Sequence, residues 1–420
     1  MDELGIGHVI SAFSAVVFEH GVTDDDLADR LNYWIMYGIL LFFGISVGAK
    51  QYVGEPIFCW PPPEYTDKRY KRYINHYCWV HTMYEVPWDQ VIPSPENERY
   101  INDVGFYRWS TVFFIFLAFM YRIPKFVWKE MKLFSGINVE KIVGMTLETA
   151  NMEQEKREKQ LGHVAVFLHR WISTYSDIPT SNTKLKKLRR AMENFFICYG
   201  KRRSHYLVII YLFVKFLYLA NVVVQFFIIS AFLNLNFWSF GTDVIASFAA
   251  IGEWVDDVNF PRVALCDFQI RQLSNVQTYT SQCVLTLNIF LEKMFLVLWF
   301  LLAFMLAANL FSFTKWCYQL LSQRKRTEFI TKYTGMIPSG SMEHLVTEKS
   351  LKHLVRRYLK ADGVFVLKMV ESNTTDLLTV DLIRQVWLQY TEFCKDHLPK
   401  NTEFSRMENG IIKRTLETDI

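Results

Sequence analysis

Four long apolar segments restrict what this chain can fold into more than any other feature of its sequence. A helix needs about 20 apolar residues to cross a bilayer. Phe216–Leu235 and Met294–Phe313 each give 20 residues without a formal charge, and Leu31–Ala49 gives 19. The remaining segment, Phe106–Trp128, contains three basic residues that can reach toward the interface. A buried core helix is the alternative for that segment.

The basic residues predict the orientation of these segments. Segment 129–205 carries 15 Lys and Arg and segment 314–420 carries 17, whereas 51–105 carries 5 and 236–293 carries 3. Basic residues are enriched on the cytosolic side of membrane proteins. We therefore expect both termini and the middle segment inside the cell, and two loops outside it.

The positions of the cysteines indicate the same orientation. Cys59 and Cys78 lie between the first and second apolar segments, and Cys266 and Cys283 lie between the third and fourth. The three other cysteines fall in the segments expected in the cytosol: Cys198, Cys317 and Cys394. Disulfides persist in oxidising compartments, so we expect disulfides only among the four loop cysteines. Four cysteines allow three pairings, and the residues by themselves leave the pairing open.

Together these patterns predict an all-α membrane protein, a four-transmembrane-helix bundle with two disulfide-stapled extracellular loops and a helical cytosolic domain. The predicted divisions follow the chain in order: an N-terminal segment 1–30, spans 31–49 and 106–128 around loop 50–105, a cytosolic loop 129–205, spans 206–235 and 288–313 around loop 236–287, and a C-terminal region 314–420.

Apolar residues at helical spacing predict helices in the cytosolic parts, at about 138–174, 184–199, 343–359 and 375–390. Basic residues between Lys184 and Arg203 lie just before the third span. They indicate either contact with anionic membrane lipid or a solvated helix face.

No pattern typical of catalysis stands out, and we expect no enzyme activity, no cofactor and no nucleic-acid partner. The sequence lacks HExxH, GxSxG and Walker motifs. His76, Cys78 and His81 are close in sequence, but an oxidised Cys78 is not a thiolate ligand, so we expect no metal site.

Two groups of charges need a separate explanation. Lys215 lies inside the third apolar segment, where a cation is usually paired or faces water. It could line a conduit, meet a carboxylate near the cytosolic helix ends, or snorkel to the interface, and snorkelling is the favoured interpretation. Asp24, Asp25 and Asp26 precede the first span and suit a helix N-terminus.

Several ordered motifs resemble the innexin family of invertebrate gap-junction proteins. The resemblance covers about residues 1–315 and is carried by DLADRLNY at 26–33, AKQYVGEPIFCW at 49–60, YCWV at 77–80, KFLYLANV at 215–222, FPRV at 260–263 and YTSQCVL at 279–285. The chain departs from the family pattern in the second span, where Arg108 replaces a glutamine and Thr111 replaces a proline. Gly48 stands where the family usually has serine. Without that proline we expect a straighter second span.

The resemblance implies a function and an assembly. It implies an octameric hemichannel of identical subunits that docks with a second hemichannel across the intercellular gap, with other innexins as further candidate partners. It also implies disulfides between the loops, Cys59 with Cys283 and Cys78 with Cys266.

The resemblance further implies candidate pore residues. The family's amino terminus folds into the pore, so Asp2 and Glu3 would form a negatively charged ring that favours cations. Glu55 and Trp60 would border the pore, although Trp60 could instead pack beneath its loop.

Two other functions fit the same sequence features. One is a non-junctional hemichannel that releases solutes from a single cell. The other is a four-span adhesion or scaffold protein without conductance. The absence of glycosylation acceptor sites in both loops favours docking over a non-junctional hemichannel. Lys215 and the amino-terminal match favour a pore over an adhesion protein.

Overall fold

The computed structural model contains four helices that are long and apolar enough to cross a membrane. They are α1 (Leu27–Tyr52), α3 (Phe106–Leu133), α6 (Tyr206–Leu233) and α8 (Thr286–Leu321). The structure describes residues 24–65, 67–87, 89–94, 99, 103–176, 205–252, 254, 259–337 and 348–397. The predicted class, a four-span helical membrane protein with two disulfides, is confirmed.

The remaining elements lie between and after these helices. The strands are β1 (Phe58–Trp60), β2 (Met83–Tyr84), β3 (Asp103–Val104), β4 (Val263–Gln272) and β5 (Asn275–Val284). The other helices are α2 (Lys68–Val80), α4 (Val139–Glu148), α5 (Gln154–Ser176), α7 (Phe237–Ile251), α9 (Gln323–Thr334), α10 (Glu348–His353, continued by a π-helical turn Leu354–Leu359), α11 (Lys360–Asn373) and α12 (Asp376–His397).

All four apolar helices are longer than the segments found by apolar composition. The difference is largest for α8, whose 36 residues span about 54 Å at 1.5 Å per residue. A bilayer with its headgroups is about 40–45 Å thick. Helical hydrogen bonding continues through polar flanking turns, so composition identifies only the part of a helix that suits lipid.

The chain divides into two compact units. The loop unit contains the described residues of 31–123 and 218–310, and the helical unit contains those of 24–30, 124–217 and 311–397. Each of the four long helices contributes one part of its length to each unit.

The loop unit contains a five-stranded antiparallel sheet that the all-α prediction did not include. Its strand order is β1-β5-β4-β2-β3, and the β4–β5 hairpin forms its largest part, with Val263 opposite Val284 and Gln272 opposite Asn275. The other strands have only two or three residues. Strands that short carry no period-two pattern, which explains why the sequence did not predict them.

Aromatic side chains pack the membrane-spanning part of the loop unit. Phe113 stacks on Phe232 with ring centroids 3.8 Å apart, and Phe114 stacks on Phe295 at 5.1 Å.

A buried pair of amides adds a polar contact between α1 and α8. Asn32 and Asn309 donate to one another at 2.7 and 3.1 Å. Such interhelical hydrogen bonds satisfy polar groups that lipid cannot.

The helical unit has its own core. Trp128, Tyr211 and Trp316 are all buried, and their rings meet at centroid distances of 5.4 Å and 5.0 Å through Tyr211. Phe365 of α11 packs against the same group.

The described middle segment is two helices, α4 and α5, rather than one run from 138 to 174, because a 3-10 turn at Thr149–Asn151 separates them. The predicted helix at 184–199 lies outside the described residues.

Two of the three departures from the family pattern, Gly48 and Thr111, contact each other in the loop unit. A Cβ built on Gly48 would lie 3.2 Å from the Cγ2 atom of Thr111, which is tighter than ordinary packing. The Thr111 hydroxyl donates to Gln51 Oε1 at 2.6 Å. Gly48 therefore provides the space that the threonine methyl occupies, and α3 continues through this position without a break.

We expect Gly48→Ala to destabilise the protein by about 1–3 kcal/mol, because the added methyl overpacks this contact. In a Thr111→Ser background, which removes Cγ2 and keeps the hydroxyl, the same change should be neutral or stabilising, since alanine favours a helix over glycine by about 1 kcal/mol. Thermal unfolding of the four proteins in detergent measures the coupling. Equal costs of Gly48→Ala in both backgrounds would contradict the contact.

Candidate functional site

Two disulfides connect the two loops of the loop unit. Cys59 is bonded to Cys283 and Cys78 to Cys266, across 224 and 188 residues of sequence. All four cysteines are buried. This is the pairing that the innexin resemblance implied. Each bridge therefore fastens the segment after the first span to the segment before the fourth.

The surrounding structure brings the two bridges together. Cys59 and Cys283 are directly opposite in the β1–β5 ladder, and the side chain of Asn75 on α2 accepts a hydrogen bond from the Cys59 amide at 3.0 Å. The sulfurs of Cys59, Cys78 and Cys283 lie within 4.8 Å of one another. Disulfide sulfurs are not thiolates, so this proximity reflects two adjacent bridges rather than a ligand set.

Asp267 of β4 fixes the first loop to the hairpin. Its carboxylate accepts hydrogen bonds from Tyr84 at 3.0 Å and from Thr280 at 2.7 Å, and it pairs with Arg99 at 2.8 Å. The aspartate side chain is only 6% exposed. This contact fixes the position of the first-loop strand β2 beside β4, in addition to the disulfides.

The candidate pore residues of the loop unit are exposed. The Trp60 residue is 76% exposed, which contradicts packing of that ring beneath its loop in the single chain. Glu55 is also exposed. Asp2 and Glu3 lie outside the described residues.

In the helical unit, Lys215 is the centre of a buried ion cluster. Its Nζ lies 2.9 Å from Asp29 Oδ1 and 3.2 Å from Asp26 Oδ2, and it donates to Ser312 Oγ at 2.8 Å. The lysine side chain is 2% exposed. The cluster joins α6 to α8 and to the first residues of α1.

This geometry makes the snorkelling interpretation of Lys215 wrong. A snorkelling lysine keeps its charge in water, whereas this ammonium is enclosed by two carboxylates. The desolvation of a buried cation is offset only when partners surround it. The carboxylate alternative, which the sequence left open, is the one that the structure contains.

Asp26 has hydrogen bonds to two further side chains. Trp316 Nε1 donates to Asp26 Oδ2 at 2.9 Å and Ser312 Oγ donates at 2.8 Å. Burial favours the neutral form of Asp26, but the charge of Lys215 and these hydrogen bonds outweigh it and lower the pKa of this carboxyl below its usual range. Asp26 is therefore ionised at physiological pH, and its charge is available to Lys215.

A second set of ion pairs lies immediately before the first. Asp24 Oδ2 accepts from Lys132 at 2.9 Å and from Trp128 Nε1 at 3.0 Å, and Asp25 pairs with Lys125. Asp24 and Asp25 are both buried. The acidic run before the first span is thus more than a helix N-terminus, because it binds lysines of α3 as well as the lysine of α6.

Sequence reasoning identified Lys215 but missed its partners. The available signal was the density of carboxylates: four lie within the six residues from Asp24 to Asp29. Three lysines, Lys125, Lys129 and Lys132, lie near the end of α3, and two of them pair with these carboxylates. Charges in helix ends that face each other in the fold are far apart in sequence, so the pairing itself could not be read from spacing.

Another carboxylate connects α11 to the start of α6. The backbone amide of Val208 donates to Asp362 Oδ1 at 3.2 Å, and Asp362 is buried. Burial raises the pKa of Asp362 to about 7, although the backbone hydrogen bonds act in the opposite direction. The amino end of a helix carries free N–H groups, and Asp362 supplies an acceptor for them.

The fold and these sites define a class of protein: a four-span membrane protein whose two loops are covalently joined on one side. A sequence profile of the innexin family matches residues 25–390. The chain is 34% identical over 383 residues to innexin unc-9 of Caenorhabditis elegans, covering 91% of this chain and 95% of that protein. It is 32% identical over 375 residues to innexin-11 of the same organism, covering 87% of this chain and 79% of that protein.

A third relative, innexin-19 of Caenorhabditis briggsae, is 29% identical over 416 residues, covering 94% of this chain and 92% of that protein. The chain belongs to the innexin family. Members of this family are gap-junction channel subunits, and the alternatives of an adhesion protein or a non-junctional hemichannel are less well supported.

Replacing Lys215 by methionine should destabilise the protein by about 3–5 kcal/mol, because the buried carboxylate of Asp29 and the partly buried carboxylate of Asp26 lose their cation. Adding Asp29→Asn should recover part of that loss. The thermal unfolding midpoint in detergent measures both effects. Lys315→Met, which removes an exposed lysine of α8, is the matched control. A cost for Lys215→Met no larger than that of the control would contradict the cluster.

Proposed function

We propose that eight copies of this chain form a hemichannel that docks with a second hemichannel on a neighbouring cell and passes ions and small solutes. The observation that carries the proposal is the pair of disulfides between two loops more than 180 residues apart in sequence. Joined loops lose less conformational freedom on docking than separate flexible loops. Family membership supplies the channel function, and the ring order rests on the family resemblance.

The distribution of Lys and Arg supports a topology with both termini in the cytosol. The segments at the proposed cytosolic side carry 15 and 17 basic residues, against 5 and 3 in the two loops. The disulfides agree with this orientation, since an oxidising exterior is where they persist.

The β4–β5 hairpin is the proposed docking surface of the loop unit. Ten-residue strands extend about 33 Å, and the turn places Leu273 at the end farthest from α8. Leu273 is fully exposed and has a φ of 55°, and Val276 is half exposed. Within the described part of the loops, β1 pairs with β5 only at 282–284, and β2 pairs with β4 only at Leu265. The distal hairpin therefore offers free edges and an apolar tip to an opposing subunit.

Pairs of cells that express the chain should show a junctional current that Leu273→Asp abolishes, because docking would bury the new charge. The variant should keep its surface level and its single-cell current, since aspartate tolerates a positive φ better than leucine. Dual voltage clamp measures the junctional conductance.

The matched control is Val91→Asp, at another exposed valine of the loop unit. Wild-type conductance in the Leu273→Asp pairs would contradict docking through the hairpin tip. Single-cell currents without junctional current in the wild-type protein would favour a non-junctional hemichannel.

The N-terminal carboxylates are proposed to select cations at the pore entrance. The ion pairs of Asp24, Asp25, Asp26 and Asp29 hold the chain at the point where that segment ends, which supports this proposal. Rings of carboxylates favour cation passage.

Asp2→Asn with Glu3→Gln should therefore lower the cation-to-anion permeability ratio. Reversal potentials of single hemichannels in a potassium chloride gradient report this ratio. The matched control is Asp89→Asn with Glu64→Gln, which removes the same charge from exposed positions of the loop unit and should leave the permeability ratio unchanged. An unchanged reversal potential in the Asp2/Glu3 variant would rule out the N-terminal ring.

A further inference from the structure

A basic groove opens between two helices of the helical unit after the fourth span. It lies between α9 and the α10 helix with its π-helical extension, and it has a volume of about 1000 Å³. Among the residues that the structure describes, four basic side chains line it: Arg324 and Lys332 from α9, Lys352 from α10, and Arg356 from the extension. Two described carboxylates, Glu328 and Glu348, line it as well.

The two carboxylates are already neutralised by lysines of their own helices. Glu328 pairs with Lys325 at 2.9 Å, and Glu348 pairs with Lys352. Over the residues for which side chains are described, neither Arg324 nor Arg356 forms an ion pair with a carboxylate. The groove consequently presents unneutralised positive charge from both of its walls.

We propose that this groove binds a ligand with several phosphate groups, of the kind carried by an inositol phosphate. Arginine is the side chain best suited to phosphate, because its planar guanidinium donates two parallel hydrogen bonds to phosphate oxygens. Here two exposed arginines lie on facing helices, so phosphates on different sides of one small ring can be bound at once. The volume lies at the upper end of the range of small-molecule sites.

The position of the groove along the chain allows two sources of that chemistry. Helix α9 begins two residues after α8 ends, and α8 exceeds the thickness of a bilayer with headgroups by only about 10 Å. In the cytosolic orientation proposed above, the groove lies near the inner leaflet, where a run such as Arg324-Lys325-Arg326 attracts anionic headgroups. A phosphoinositide headgroup and a soluble inositol phosphate are therefore the two sources.

Binding to the full-length protein in uncharged phosphatidylcholine nanodiscs tests the proposal and does not depend on channel function or orientation. The probes are inositol 1,4,5-trisphosphate and dioctanoyl phosphatidylinositol 4,5-bisphosphate, which share a headgroup and differ in their acyl chains. We expect the Arg324→Gln/Arg356→Gln variant to weaken binding at least tenfold. The Lys129→Gln/Lys141→Gln variant removes the same charge from exposed positions of the helical unit and should change binding less than twofold.

Glu328→Gln supplies a variant with the opposite expected sign. It removes a carboxylate from the groove and releases Lys325, so binding should become several-fold tighter. A gain in affinity with an unchanged thermal midpoint is not explained by misfolding, which keeps the test valid if the double arginine variant proves unstable. Ring size and the thermal midpoint of each variant are measured alongside.

Each result has a defined meaning. Binding of both probes supports the shared headgroup, binding of the lipid alone assigns the source to the membrane, and binding of the trisphosphate alone assigns it to the cytosol. The proposal is overturned if neither probe binds, or if the control variant loses as much affinity as the arginine variant. It is also overturned if a decamer of glutamate binds more tightly than both probes, which would indicate an acidic protein segment.

Discussion

Two disulfides between loops that are far apart in sequence are the constraint on which the rest of the loop unit depends. They connect the segment after α1 to the segment before α8. With Cys59 and Cys283 opposite each other, the register of β1 on β5 is fixed, and Cys78 fixes α2 against β4. The hairpin then projects its tip from a base that cannot shift. A docking surface built from loops needs this stiffness, because each freely moving segment must be ordered on binding.

The helical unit uses charge where the loop unit uses covalent bonds. Within lipid-spanning helices a buried cation is costly unless carboxylates surround it, and Lys215 is held by Asp26 and Asp29. Since these acids belong to the start of the first span, the pairs fix where the chain enters that helix. Removing one partner leaves a buried charge, so the loss of any member of the cluster is costly.

Much of this architecture could be predicted from sequence because lipid imposes simple rules. Apolar runs predicted the four long helices, and the innexin motifs predicted the family. The partners of Lys215 could not be predicted, since Asp29 and Lys215 are 186 residues apart and only the fold brings them together. The short strands β2 and β3 could not be predicted because they have two residues each, whereas the ten-residue strands β4 and β5 were long enough to identify and were overlooked.

The exposed Trp60 shows the limit of motif reasoning for single residues. The motif at 49–60 placed this ring near a pore but could not distinguish exposure from burial, and its 76% exposure depends on the β1 pairing with β5. The contact between Gly48 and Thr111 likewise could not be predicted from motifs. Each of these departures from the family pattern was visible in the sequence, whereas their contact depends on how α1 packs against α3.

Selective labelling of cysteines on dissociated intact cells tests whether the four loop cysteines are disulfide-bonded outside the cell. An impermeant reductant followed by an impermeant maleimide, with the labelled peptides identified by mass spectrometry, reports which sulfurs face the exterior. We expect labelling of Cys59, Cys78, Cys266 and Cys283 only after reduction, and labelling of Cys317 only after the cells are permeabilised. Labelling of Cys317 on intact cells, or of the four loop cysteines without reductant, would contradict this expectation.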